Sequence, residues 1–193
     1  MRIRATLMSV LFILSVLVAA AQAAEYSADF TTTSKEGDFS GKMFIKENKM
    51  RMEMPEAITI TRMDKKVGWM LLPNEKIYME VPLRPSDGVI SGDKMPGELS
   101  RKLIGPEAVG DMQADKFELV IQSGQGQETV FLWVAKESSI PVKTAAVDNA
   151  WSITYSNIVK AEQPESIFEL PEGYTLFSYD MAVPEAAKPE AGK

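Results

Sequence analysis

The sequence predicts a mostly β domain, with helix a minor part, laid out as an antiparallel sheet. Two observations predict it. Apolar and polar side chains alternate with a period of two along one segment after another, so that Met50, Met52 and Met54 share one face of a strand while Lys49, Arg51 and Glu53 take the other. Turn-forming clusters such as Lys35-Glu36-Gly37-Asp38, Asp64-Lys65-Lys66 and Pro73-Asn74-Glu75 separate these segments at spacings suited to hairpins.

Residues 1–23 are expected to be a cleaved export leader: Arg2 and Arg4 make a basic start, Leu7 to Ala21 an apolar core, and Ala21-Gln22-Ala23 a small-x-small cleavage site. The apolar run falls short of the roughly 20 residues that span a bilayer, and no later segment is long enough either. The expectation is therefore one domain over residues 24–180, exported to the periplasm and soluble there, with no integral membrane span. Residues 181–193, rich in Ala, Pro, Glu and Lys, are expected to form a disordered tail.

A first strand is expected at Tyr26 to Ser34 and its return at Phe39 to Lys46, where Phe44 opposes Met43 and Ile45 and both faces are apolar. From Gly41 to Pro82 five strand-length segments follow one another. Met50, Met52 and Met54, then Ile58 and Ile60, then Trp69 and Leu71, then Ile77 and Met79 alternate with polar or smaller neighbours, and together they are expected to form one continuous apolar surface across the meander. Met63 breaks parity and suggests a bulge near Arg62. Pro85, Gly88, Gly92, Pro96 and Gly97 mark a loop, after which Glu98 to Ile104 has the spacing of a short helix, with Leu99 and Leu103 one turn apart and Gly105-Pro106 as its stop. Strands resume at Met112, with a hairpin loop over residues 123–127, a return from Thr129 to Ala135, and a last hairpin of Val142 to Val147 and Trp151 to Ala161. Gln163 to Tyr174 closes the domain, with Ile167, Phe168 and Leu170 turned inward.

Composition narrows the chemistry. The chain has no His and no Cys, which removes Ser-His-Asp and Cys-His catalysis, ordinary zinc sites and disulfides. Twenty-one basic residues less Arg2 and Arg4, against 27 acidic ones, leave −8 after the leader, a poor match for nucleic acid. Ser91 and Lys94 have the spacing of a lysine-activated serine, but Gly92 denies them the helix start that this chemistry uses. Glu53, Asp64, Glu75 and Glu80 lie at turns or on polar faces and read as solubilising charge rather than a glycosidase pair. Three same-face methionines on one strand invite Cu(I), yet neighbours on one face stand about 7 Å apart, too far to share an ion without help from other strands. No catalytic residue, metal site or cofactor is expected.

In order and spacing, Ser40-Gly41-Lys42-Met43-Phe44-Ile45-Lys46, Asp64-Lys65-Lys66-Val67-Gly68-Trp69 with Pro73, and Ser166-Ile167-Phe168-Glu169-Leu170-Pro171-Glu172-Gly173-Tyr174 resemble the LolA/LolB-like periplasmic lipoprotein carriers, and especially the secreted domains grouped beside them. The resemblance implies a strongly curved, half-open β-barrel around an apolar cavity for acyl chains, with Leu83 to Ile104 as lid and Leu99 and Leu103 its apolar edge. The chain departs from the carriers in entering its first strand without a covering helix, and in carrying Glu47 where they have a lid-latching arginine, so their lid switch is not implied. On this basis the chain is expected to be a non-enzymatic binding or carrier protein. It would hold an apolar small molecule, a lipid or a lipoprotein's acyl chains on Met50, Met52, Met54, Ile58, Ile60, Trp69, Leu71, Ile77 and Met79. The alternative is an envelope module with a filled core and a protein partner.

Overall fold

The computed structural model describes residues 25–83, 87–89, 93–124 and 126–177. The expected leader, the expected tail and Ser91 lie outside the described residues. Twelve strands form one sheet: β1 (Glu25–Ser34), β2 (Phe39–Lys46), β3 (Lys49–Glu53), β4 (Ile58–Arg62), β5 (Val67–Leu72), β6 (Ile77–Val81), β7 (Glu98–Val109), β8 (Met112–Ser123), β9 (Gly126–Ala135), β10 (Pro141–Ala146), β11 (Trp151–Lys160) and β12 (Thr175–Leu176). Their order is β12-β6-β5-β4-β3-β2-β1-β11-β10-β9-β8-β7. Every neighbouring pair is antiparallel except β12 on β6. Two meanders are thus sewn together along β1 and β11, and the sheet is curved and open rather than closed on itself.

Glu98 to Ile104 is not a helix. It is the first half of β7, a 12-residue edge strand that pairs along its length with β8, setting Arg101 opposite Leu119 and Leu103 opposite Phe117. The helical spacing of Leu99 and Leu103 is a weak local preference, and a partner strand of equal length overrides it. Gly105-Pro106, expected as a stop, is absorbed by a register shift between Leu103 and Gly105. Proline is tolerated there because β7 has no neighbour on its outer side. Nor is there a bulge at Arg62: β4 pairs in unbroken register with β3 and β5, and Met63 opens the turn, donating its backbone N–H to the Asn48 carbonyl at 3.2 Å.

Gly41 shows why β2 and β1 can lie as they do. A Cβ there would land on the Glu53 carbonyl oxygen and 2.7 Å from Phe30 Cζ, so only glycine lets the fully buried Phe30 ring cross the strand. β6 and β7 lie near opposite edges of the sheet, and the described residues of their connection cross the inner face, where Val89 and Met95 pack into the core.

Candidate functional site: an apolar cavity on the inner face

Directly paired residues in neighbouring strands share a face, so the register settles which side chains meet. Met43 lies opposite Met52 and Ile45 opposite Met50, while Tyr26 lies opposite Ile45 and Ala28 opposite Met43. Tyr155 and Ile153 of β11 face the same way through their pairing with Phe30 and Thr32. These residues form one apolar cluster, joined at its margin by Met54, Val89 and Ile158. Within it lies a cavity of about 120 Å³ lined by Tyr26, Met43, Ile45, Met50, Met52, Ile153 and Tyr155, with Pro141 on one side and Gly88 of the β6–β7 crossing on another.

Ile58, Ile60, Trp69 and Leu71 are not part of this surface. Ile60 is paired with Arg51 and with Trp69, and Ile58 with Glu53 and Leu71, which puts all four on the opposite, outer face with Arg51 and Glu53. The expected continuous surface took the strongest apolar set of each strand and assigned all of them to one side. The turns set a register in which β3 and β6 show their apolar sets to the inner side, and β4 and β5 between them show theirs to the outer. Ile77 and Met79 do share the methionine side, through Leu72 and Met70, but stand two strands beyond β4 and outside the cavity lining. Leu99 and Leu103 lie on β7, 55% and 58% exposed, and cover nothing. The residues missed were Tyr26, Met43, Ile45, Ile153 and Tyr155, whose alternation is plain in the sequence. What was missing was the pairing of β1 with β11, strands more than a hundred residues apart.

The outer face is covered by the closing segment. Phe168, fully buried at the end of a single 3-10 turn (Glu165–Phe168), sits on Ile60 and Leu71, with Ile167, Leu170 and Tyr174 packed around it. A row of cations holds its backbone: Lys46 Nζ donates to the Gln163 carbonyl at 2.9 Å, Arg51 to that of Ile167 at 3.0 Å and Arg62 to that of Phe168 at 3.3 Å. Lys49 and Lys65 each reach a carboxylate of the segment, Glu165 and Glu169, at 2.8 Å. Arg62 is 4% exposed and also binds Asp64 at 2.6 Å and Glu169. Its hydrogen bond holds the Asp64 carboxyl at about 2, and hydrogen bonds from Lys65 and Arg62 hold Glu169 below the ordinary carboxylate range. Lys49 does the same for Glu165. Burial pulls the Lys46 ammonium down, but Glu25 and Glu165 outweigh it and leave its pKa raised.

The only titratable groups in the described cavity lining are two phenols. Burial raises Tyr155 to about 12. Burial together with the neighbouring Tyr155 raises Tyr26 further above the phenol range, so both are neutral at any physiological pH. The lining can enclose apolar groups and donate hydrogen bonds; its described residues include no pair of groups suited to acid–base exchange.

An open, curved, mostly antiparallel sheet with an apolar inner face is the half-barrel architecture that the sequence resemblance implies. Among solved structures, an uncharacterized conserved protein of Thermus thermophilus superposes with a TM-score of 0.58 at 12% identity over 80% of this chain and 90% of its own. Fainter likenesses are to the Pseudomonas aeruginosa MucA/MucB complex (TM-score 0.49, 8% identity, 77% of this chain and 56% of that one) and to lipoprotein LppX of Mycobacterium tuberculosis (0.40, 10%, 74% and 90%). At these identities the likeness is one of fold. No protein-family model and no curated protein matches the chain. Among the described residues no helix is long and apolar enough to cross a membrane.

Proposed function

We propose that the chain is an exported, non-enzymatic binding or carrier protein that holds an apolar ligand, a lipid or the acyl chains of a lipoprotein, on the inner face of its half-barrel. The observation that supports this most is the lining: Met43, Met50 and Met52 converge with Ile45 and Ile153 on one cavity, and methionine's flexible thioether adapts to chains of varied shape. Each methylene buried there would contribute roughly 0.8 kcal/mol. Export and a periplasmic site of action follow from the leader-like residues 1–23.

One observation favours a second reading, an envelope module with a filled core. The cavity, at about 120 Å³, is below the roughly 300–1,000 Å³ of ordinary ligand pockets, enough for part of one chain rather than a whole lipid. Native mass spectrometry of the protein purified from a bacterial periplasm, followed by solvent extraction and lipid analysis, separates the two. Stoichiometric lipid supports the carrier; a clean apo mass with no uptake of added lipid leaves the filled module.

A further inference from the structure

Apart from Tyr26 and Tyr155, the side chains of the described cavity lining offer no hydrogen-bond donor: they are methionine, isoleucine and proline, with Gly88 contributing backbone alone. Both tyrosines are buried, 3% and 4% exposed, no described residue hydrogen-bonds either phenol, and neither oxygen is among the fully buried polar atoms that lack a partner, so both keep accessible surface. A phenol whose oxygen keeps accessible surface at an apolar cavity bonds water while the cavity is empty and is left unpaired when an apolar ligand displaces that water. Two such phenols meeting at one apolar cavity are explained if something in the cavity accepts from them.

Resting on the reading of the cavity as a ligand site, we propose that the ligand is a neutral acyl compound whose ester or amide carbonyl accepts hydrogen bonds from the Tyr26 and Tyr155 phenols. A carbonyl oxygen has two lone pairs and takes both donors at once. A bare hydrocarbon would leave both phenols unpaired. A free carboxylate would enter an apolar space with no Lys or Arg among the described lining residues, losing its hydration for no counter-charge. Burial fits the same assignment, since it keeps both phenols protonated as donors.

The test uses three ten-carbon probes, decane, methyl decanoate and decanoate, each competing with an environment-sensitive naphthylamine dye for the full chain and for Tyr26→Phe, Tyr155→Phe and the double variant. The expected result is that the double variant binds methyl decanoate about tenfold more weakly than the parent, about 1.4 kcal/mol, while its affinity for decane and its melting temperature do not fall. The parent is also expected to prefer methyl decanoate to decanoate at pH 8. Equal effects of the double variant on ester and alkane, or none on either, would overturn the donor assignment while leaving the cavity a binding site; so would a parent that prefers the carboxylate. A parent that takes up neither dye nor probe overturns the cavity reading itself.

Discussion

Gly41 is the residue on which the packing of β1 against β2 turns, and its role can be tested with one methyl group. In Gly41→Ala the added carbon meets backbone, the Glu53 carbonyl, on one side and the buried Phe30 ring on the other. Neither can step aside, because Phe30 packs edge-on against Phe39 at 6.2 Å and Glu53 is fixed by pairing to Lys42 and Ile58. A loss of about 1–3 kcal/mol, the usual cost of overpacking, is expected in urea unfolding. Gly37→Ala gives the contrast: its Cβ would meet nothing, but φ is +129°, so any loss there comes from backbone strain alone.

At the scale of elements, the two faces of the β2–β6 meander do different work, and paired substitutions separate them. Trp69→Asp strikes the outer face and should loosen the closing segment, seen as faster amide exchange over residues 165–170, while apolar-probe binding persists at temperatures where the protein stays folded. Met52→Asp places a charge in the cavity lining and should abolish binding with the closing segment still protected. If Trp69→Asp removes binding and Met52→Asp does not, the assignment of faces is wrong. Acid should act on the outer face in the same way as Trp69→Asp. Asp64, Glu165 and Glu169 all have folded pKa values below their ordinary ones, so the stability they contribute is complete above about pH 4.5 and fades as pH falls, with Asp64 still titrating at about pH 2. Exchange protection of the closing segment, followed from pH 6 down to 2, should fall through this window before the inner cluster opens, since no described carboxylate lines the cavity. The meander strands and the closing segment were legible because alternation and turn residues are local signals. The assignment of Ile60 and Trp69 to a face was not, because facing depends on the register each turn selects, and one step of register reverses every side chain. β7 escaped for a related reason: Leu99 and Leu103 satisfy a helical spacing, and only the presence of β8 decides against it.

For the molecule as a whole, the inner face is held by an open sheet whose two halves meet along one seam, β1 on β11, and by a single crossing from β6 to β7 that brings Gly88, Val89 and Met95 over that face. Nothing in such an arrangement closes the cavity by strand pairing, so a ligand that bridges β3, the seam and the crossing would add contacts that the empty protein lacks. Its effect on stability then follows from mass action. A probe that binds only the folded state, held at a hundredfold excess over its Kd, stabilises by about 2.7 kcal/mol. For a domain of this size that is a rise in Tm of roughly 5–10 °C. The rise should increase with the logarithm of probe concentration and vanish in Met52→Asp, and amide exchange around residues 87–89 and 93–97 should slow in step with it. A melting temperature indifferent to every acyl probe, with exchange in the crossing unchanged, would mean that the methionines are simply the packing of a filled core, and the search would pass to what binds the outer surfaces.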